Sequence, residues 1–206
     1  MVLVRDPVLK PVPIDTLRPT QMTVGMREVK DRRERLRARK PEKIGKFLGD
    51  HMIPVILGPK QERYVIDHHH LALALHREGI KNVLTAVVRD LNELDIDTFW
   101  MVLDHHGWVH PYDADGKRRT FRDIPKSITG LKDDPFRSLA GELRRAGGFA
   151  KDTTPFSEFL WADFFRRRMK RKFVADKFDE AVKKAKKLSA SAEAHYLPGW
   201  AGPVDG

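Results

Sequence analysis

The sequence predicts an α+β protein, in which a small mixed sheet with helices is followed by a helical region. Two observations support this fold class. Four short runs rich in apolar and β-branched residues alternate with stretches of helical periodicity, and beyond Pro135 the apolar residues recur only at helical spacing. We therefore expect an α+β domain over residues 1–112 and a mainly helical region over residues 113–206.

The first half of the chain is predicted to alternate between strands and helices. Gly49 and Gly79 each follow a helical pattern and are expected to end it, and Pro41 suits the first turn of a helix. Two apolar runs around the turn 58–63 predict a hairpin. The predicted elements are a strand at Val12–Leu17, helices at 26–39 and 41–49, strands at Ile53–Leu57 and Tyr64–Ile66, a helix at His69–Glu78, a strand at Asn82–Val88 and a helix at Leu91–Leu103.

The helical region contains one strongly amphipathic stretch. Asp152, Thr153 and Thr154 precede Pro155 and are candidates for the cap of a helix. The apolar stripe in Phe156–Phe165 has the i, i+3, i+4 spacing of a packing face. Such a face suits either an intramolecular core or the interface of a homo-oligomer.

Composition and charge restrict the possible functions. The 206 residues are 41% hydrophobic and 33% charged, which indicates a folded core under a charged surface. Cysteine is absent, so a disulfide framework, a cysteine zinc site and a thiol nucleophile are excluded. The net charge of +10 favours anionic partners such as nucleotides, nucleic acid or an acidic protein.

The sequence shows no sign of a membrane partner. The start, MVLVRDPVLKPVPIDTL, is broken by charge and proline, which predicts that it is not a secretory leader. No apolar run approaches the roughly 20 residues that are needed to span a bilayer. We expect a soluble, cytoplasmic protein.

The stretch VIDHHHLALAL (65–75) is the strongest candidate for a functional site. A strand that ends near Ile66 and a helix that begins near His69 direct free backbone N–H groups into the gap between them, which is a suitable place for an anion. Asp67 is expected to cap this helix. The imidazoles of His68, His69 and His70 are candidates to donate to a phosphate or to act as a base near neutral pH.

Several stretches, in the same order along the chain, resemble the ParB/sulfiredoxin superfamily. Within it, the chain is most similar to the ParB-like nuclease group, with the ParB-like free serine kinases as relatives. The block 136–166 resembles the nuclease group in particular. The stretches that carry the wider resemblance are LRPTQMTVG (17–25), IPVILG (53–58), YVIDHHHLALALHREG (64–79) and VLTAVV (83–88).

The resemblance implies a phosphate or nucleotide pocket at the DHHH turn. In the serine kinases the aspartate and histidines of a D-G-H-H-R motif lie in the phosphate site, which implies catalytic roles for Asp67, His69 and His70. Three residues of this chain differ from those of the serine kinases, two within the motif and one outside it. His68 replaces the glycine, Leu71 replaces an arginine that clamps phosphate, and Gln21 replaces a glutamate base.

These departures restrict the activity that we expect. Glutamine cannot take up a proton, so Gln21 is expected to position substrate together with Arg18, while His68 contributes to phosphate binding. Arg18 or Arg27 is a candidate to supply the missing guanidinium group. The predicted function is a nucleotide-dependent phosphotransferase or phosphohydrolase. It would act on a nucleotide or phosphorylated small molecule, with a nucleoside triphosphate or diphosphate and a divalent metal as cofactors.

The alternative function is a ParB-like DNA-binding protein or nuclease. Its anchor would be the basic segment RRRMKRK, which is expected to lie on one helix and to neutralise backbone phosphates. The segment lacks interleaved aromatic residues and a helix-turn-helix signature, so the sequence gives no sign of base readout. Its cationic residues are Arg166, Arg167, Arg168, Lys170, Arg171 and Lys172.

A second histidine cluster follows at DHHGWVH (104–110). His105, His106 and His110 are candidate metal ligands, and if this cluster meets the first one, a mixed His and Asp site would suit zinc, manganese or iron. Gly107 and Pro111 argue against a regular helix there. The alternative is that these histidines serve as caps and surface hydrogen-bond donors.

Overall fold

The computed structural model describes residues 10–203 and confirms the α+β fold. The first nine residues, which include most of the proline-broken start, and the last three residues of the tail lie outside this range. Within the described range, none of the helices combines the length and the apolar character that crossing a membrane requires.

Eight helices and eight short strands make up the described chain. The helices are α1 (Met26–Arg37), α2 (Ile44–Asp50), α3 (His69–Arg77), α4 (Ile96–His105), α5 (Pro135–Arg145), α6 (Ser157–Arg166), α7 (Arg171–Asp176) and α8 (Phe178–Ser189). The strands are β1 (Val12–Pro13), β2 (Leu17–Pro19), β3 (Thr23–Val24), β4 (Ile53–Leu57), β5 (Arg63–Val65), β6 (Asn82–Val83), β7 (Thr85–Asp90) and β8 (Lys132–Asp133).

The principal sheet is mixed and has the strand order β2-β5-β4-β7. The predicted hairpin is confirmed, because β4 and β5 pair antiparallel, whereas β2 pairs parallel with β5 and β7 pairs parallel with β4. Two further pairs are shorter, namely β1 with β6 and β3 with β8. The β3–β8 pair joins the first quarter of the chain to the segment just before α5.

Helices cover both faces of the sheet because its strands are apolar on both sides. Against one face pack α1 and α3, with Leu71, Leu73 and Leu75 of α3 buried in the core. Against the other face packs α4, whose Phe99 lies 4.6 Å from the ring of Tyr64 on β5. The charged helix α1 is held through sparse buried residues and through ion pairs of its arginines with Glu78, at the end of α3.

The helical region forms a core of its own that also docks on α1. Phe136, Trp161, Phe164 and Phe165 are buried together, so part of the apolar stripe of α6 packs within the chain, whereas Leu160 is 44% exposed. The boundary near residue 112 stays a prediction. The two predicted regions share the β3–β8 pair and the contact between α1 and α5.

Several predicted element boundaries are corrected. A 3-10 turn at Ile14–Thr16 interrupts the strand predicted at Val12–Leu17. The helix α2 continues through Gly49 to Asp50, since this glycine is not in the left-handed conformation that ends a helix. The predicted helix over 91–103 begins only at Ile96, because the Asp95 carboxylate accepts the backbone N–H groups of residues 97 and 98.

Two predictions about the helical region are also corrected. The residue at the N-cap of α6 is Phe156, in a left-handed conformation, while the Asp152 carboxylate accepts from the N–H of Thr154 in the preceding turn. The segment RRRMKRK does not lie on one helix. It spans the end of α6 and the start of α7, because buried Met169 folds back into the core between them.

Candidate functional site

The DHHH turn lies between β5 and α3, as the sequence predicts. His68 is the N-cap of α3 and has a left-handed backbone, with φ of +64°. The Asp67 carboxylate accepts only the N–H of His68, at 2.6 Å, and no side chain caps α3, so the prediction that Asp67 caps this helix is wrong. Within residues 10–203, no protein group accepts from the N–H groups of His69, His70 and Leu71. The mouth of α3 therefore presents free donors.

His69 and His70 lie behind this mouth and are buried. The N–H of Thr20 donates to Nε2 of His69 at 3.1 Å, and the N–H of Gly25 donates to Nε2 of His70 at 2.9 Å. Burial lowers the pKa of both imidazoles to about 3. Both rings are therefore neutral acceptors at pH 7. Their hydrogen bonds hold the segment 20–25 against α3.

A cavity of about 570 Å³ opens beside the turn. The residues of the DHHH turn form one wall, and Gln21 lies beside them. The opposite walls come from α1, α5, α6 and the loop before α6. The further charged residues that line the cavity are Glu28, Arg32, Arg137, Arg144, Lys151, Asp152 and Glu158.

An alternating chain of charges runs along these helices. Arg32 donates to Glu28 at 2.8 Å, and Arg144 lies 3.1 Å from Glu158. Arg137 lies between the two carboxylates, 3.6 Å from Glu28 and 4.0 Å from Glu158. Burial alone would raise the pKa of Glu28, but the His70 ring and the guanidinium groups outweigh it and lower this pKa to about 2. Glu28 is therefore ionised at neutral pH, beside the guanidinium groups of Arg32 and Arg137.

The sequence prediction missed Arg137, although one signal was present. Arg137, Gly141 and Arg144 lie at i, i+4 and i+7 on α5, which gives a basic stripe interrupted by a residue without a side chain. A Cβ atom at Gly141 would lie 3.1 Å from Nη1 of Arg137, so the glycine leaves room for the guanidinium group. Most of α5 is buried, and an arginine inside such a helix is exceptional.

The other predicted ligand residues are not all brought together. Gln21 is buried and lines the cavity, and its amide donates to the carbonyl of Thr23 at 2.7 Å. Arg18 is ion-paired with Glu62 and lines a different cavity, so the structure does not place it beside the DHHH turn. Arg27 lies over the ring of Phe178, also away from the turn.

The second histidine cluster is dispersed. His105 is exposed at the end of α4, and His106 stacks on Trp108 at 4.3 Å. His110 is enclosed by the rings of Tyr112, Phe156 and Phe159, and its burial, with the charge of Arg137 as a smaller cause, lowers its pKa to about 3. In the part of the chain that the structure describes, no three His, Asp or Glu side chains are grouped to hold a metal.

The fold and the site define a ParB-like α+β protein with a charged cavity at its strand-to-helix turn. The sequence profile of the family described as "Putative ParB-like nuclease" matches residues 10–167, and the chain belongs to this family. The crystal structure of protein Atu1540 from Agrobacterium tumefaciens is similar, with 51% sequence identity and a TM-score of 0.88. That similarity covers 97% of this chain and 100% of the other. No curated protein matches the chain.

Replacing His68 with glycine is expected to stabilise the fold. Glycine adopts a φ of +64° freely, whereas a residue with a Cβ atom does so at a cost, and we expect the free energy of unfolding to rise by about 1 kcal/mol. Urea denaturation measures this change. Lys60→Gly is the matched control, since Lys60 has a φ of +60° outside this cavity. An unchanged or lower stability for His68→Gly would contradict the strain at this position.

Proposed function

We propose that the cavity beside the DHHH turn binds the phosphate of a nucleotide or phosphorylated small molecule. The chain would then act as a nucleotide-dependent phosphotransferase or phosphohydrolase. The observation that carries this proposal is the mouth of α3, where three backbone N–H groups without an acceptor among the described residues adjoin a cavity. Four cationic side chains and four carboxylates line this cavity. Free amides and the helix dipole together favour an anion at such a position.

The size of the cavity favours a small molecule over a nucleic acid. Its volume of about 570 Å³ is within the range that is usual for pockets that take small ligands. Its walls belong to α1, α3, α5 and α6, so a ligand inside would be surrounded by side chains. Trp108, Phe156 and Phe159 add apolar surface to these walls.

Within this proposal the residues of the turn have different roles. Asp67 is exposed at the mouth, and we assign it the proton transfer or the orientation of the attacking group. His69 and His70 position the turn through their neutral rings, and His68 and Gln21 contact the ligand. The described residues offer no set of ligands for a resident metal, so a divalent ion would be expected to enter with the nucleotide.

A panel of inorganic phosphate, ADP and ATP, each with and without Mg²⁺, tests the proposal. We expect at least one of them to raise the melting temperature, since a ligand that binds only the folded state stabilises it. Asp67→Asn keeps the acceptor for the His68 N–H but removes the charge. We expect it to retain binding and to lose phosphate release or transfer by about 100-fold or more.

The controls separate binding from chemistry. Asp97→Asn is matched, because Asp97 is an exposed carboxylate in the first turn of α4 and lies outside the cavity. It should behave as the wild type does. If no member of the panel shifts the melting temperature, the proposed function fails. If ligands bind and Asp67→Asn turns over as fast as the wild type, only the role of Asp67 fails.

DNA binding or cleavage is the second candidate, and the exposed cations from the end of α6 to the first turn of α7 favour it. Arg167, Lys170 and Lys172 are exposed and form no salt bridge within the described residues. Such groups can release counterions from a phosphate backbone, which would make the affinity steeply dependent on salt. Salt-sensitive retention on DNA, without any stabilisation by nucleotides, would favour this candidate.

A further inference from the structure

Among the described residues, Arg137 has the most buried side-chain polar atoms that lack a hydrogen-bond partner. The residue is only 8% exposed, and it lines the cavity beside the DHHH turn. Its Nε and Nη1 atoms are buried and have no hydrogen-bond partner among the described residues. Buried polar groups are almost always hydrogen-bonded, so these two donors indicate an acceptor that comes from outside the chain.

The neighbouring carboxylates do not satisfy Arg137. Glu28 and Glu158 lie at 3.6 and 4.0 Å, which is beyond the range of a good hydrogen bond. Each of them is closer to another arginine, Arg32 for Glu28 and Arg144 for Glu158. These five groups comprise three guanidinium groups and two carboxylates, so their net charge is +1, and Arg137 is the most deeply buried of the three arginines.

Two positions with left-handed backbone also line this cavity, one near each of its opposite walls. Phe156 is the N-cap of α6, lines the cavity, and has a left-handed φ of +58° without a side-chain cap. The N-cap of α3, His68, has the same conformation and lines the same cavity. Strained backbone of this kind persists where the surrounding structure holds it, and it is concentrated at ligand sites.

The geometry points to two anion subsites in this cavity, one at the mouth of α3 and a second on Arg137 beside the start of α6. The ligand would then be a small molecule with two anionic groups, such as a diphosphate or a phosphate with a carboxylate. This inference rests on the proposed function, since the first subsite is the phosphate site proposed above. It adds Arg137 as a binding residue and defines the ligand class.

The two subsites are tested by comparing ligands with one and two anionic groups. Calorimetry would measure the affinity of the full chain for orthophosphate, for pyrophosphate and for phosphoglycolate. We expect one of the two larger ligands to bind at least tenfold more tightly than orthophosphate. Arg137→Met is expected to weaken the binding of the tighter of the two larger ligands by about 10- to 100-fold, which is the effect of losing a charge-assisted hydrogen bond. The affinity for orthophosphate should be unchanged.

A second variant avoids removing a buried charge. In Gly141→Ala the new methyl group would lie 3.1 Å from Nη1 of Arg137 and would shift the guanidinium group by a few tenths of an ångström, while the helix itself gains a better helix former. We expect weaker binding of the larger ligand with no loss of fold. Gly49→Ala is the matched control, because nothing lies within 4 Å of its added methyl group.

The outcomes distinguish this inference from the proposed function. If orthophosphate binds but neither larger ligand binds more tightly, the second subsite is overturned and the first stands. The same holds if both variants leave the preference for the larger ligand intact. If none of the three compounds binds, the proposed phosphate site fails, and the second subsite fails with it.

Discussion

The free energy of unfolding is expected to fall by roughly 4 kcal/mol per pH unit in the steepest part of the acid range, between about pH 5.5 and pH 4. The cause is a set of three neutral imidazoles. Those of His69 and His70 are buried, and that of His110 is partly buried among aromatic rings. Burial lowers the pKa of each from the ordinary 6.5 to about 3. In this range each ring is neutral in the folded protein and protonated in the unfolded chain.

The sign follows from the direction of the shifts. Because the folded pKa lies below the unfolded one, unfolding takes up protons, and each histidine contributes about 1.4 kcal/mol per pH unit. The contribution is fully present above about pH 6.5 and is lost as the pH falls toward 3. Glu28, with its pKa lowered to about 2, acts in the same direction below about pH 4.5. Asp134 acts in the opposite direction, since burial raises its pKa.

Urea denaturation at several pH values measures how the free energy of unfolding changes with pH. Single substitutions then show how much of this slope each histidine contributes. His110→Phe should reduce the slope by about one third, because the ring of His110 already lies among three aromatic rings that a phenylalanine can join. His105→Gln is the control, since His105 is exposed in the folded protein as in the unfolded chain. An equal slope in His110→Phe and the wild type would show that His110 is not buried as a neutral ring.

Local patterns in the sequence were sufficient to predict most of the first 90 residues. The hairpin of β4 and β5 follows from two apolar runs around a turn, and the end of α3 follows from Gly79, whose φ is +77°. The DHHH turn was placed correctly between them. Its local conformation was not predictable, because nothing in three consecutive histidines indicates that the first adopts a left-handed backbone.

The remaining parts of the site depend on tertiary packing. Arg137 reaches the cavity only because α5 docks against the start of α1, where a Cβ atom on Gly25 would lie 2.9 Å from backbone atoms of Ser138. This close approach joins segments that are more than 100 residues apart. The N–H of Gly25 also donates to His70, so one position links α1, α3 and α5. No periodicity in the sequence encodes such a contact.

Arg166→Ala is expected to lower the free energy of unfolding by about 3–5 kcal/mol, which makes Arg166 unsuitable as a DNA anchor. Arg166 lies 2.5 Å from the carboxylate of Asp134, which is only 1% exposed. Asp134 also accepts the N–H of Phe136 and thereby caps α5. Removal of the guanidinium would leave a buried carboxylate with its charge uncompensated at the start of the helix that carries Arg137.

Arg167→Ala is the matched control for this prediction. Its side chain is exposed and forms no salt bridge within residues 10–203, so the change should stay within about 0.5 kcal/mol of the wild type. Chemical denaturation compares the two variants, and equal stability would show that the Arg166–Asp134 pair does not hold α5. A DNA-retention assay should therefore neutralise Arg167, Lys170 and Lys172 together. Loss of binding in that variant would reflect lost phosphate contacts, whereas loss in Arg166→Ala would reflect a weakened fold.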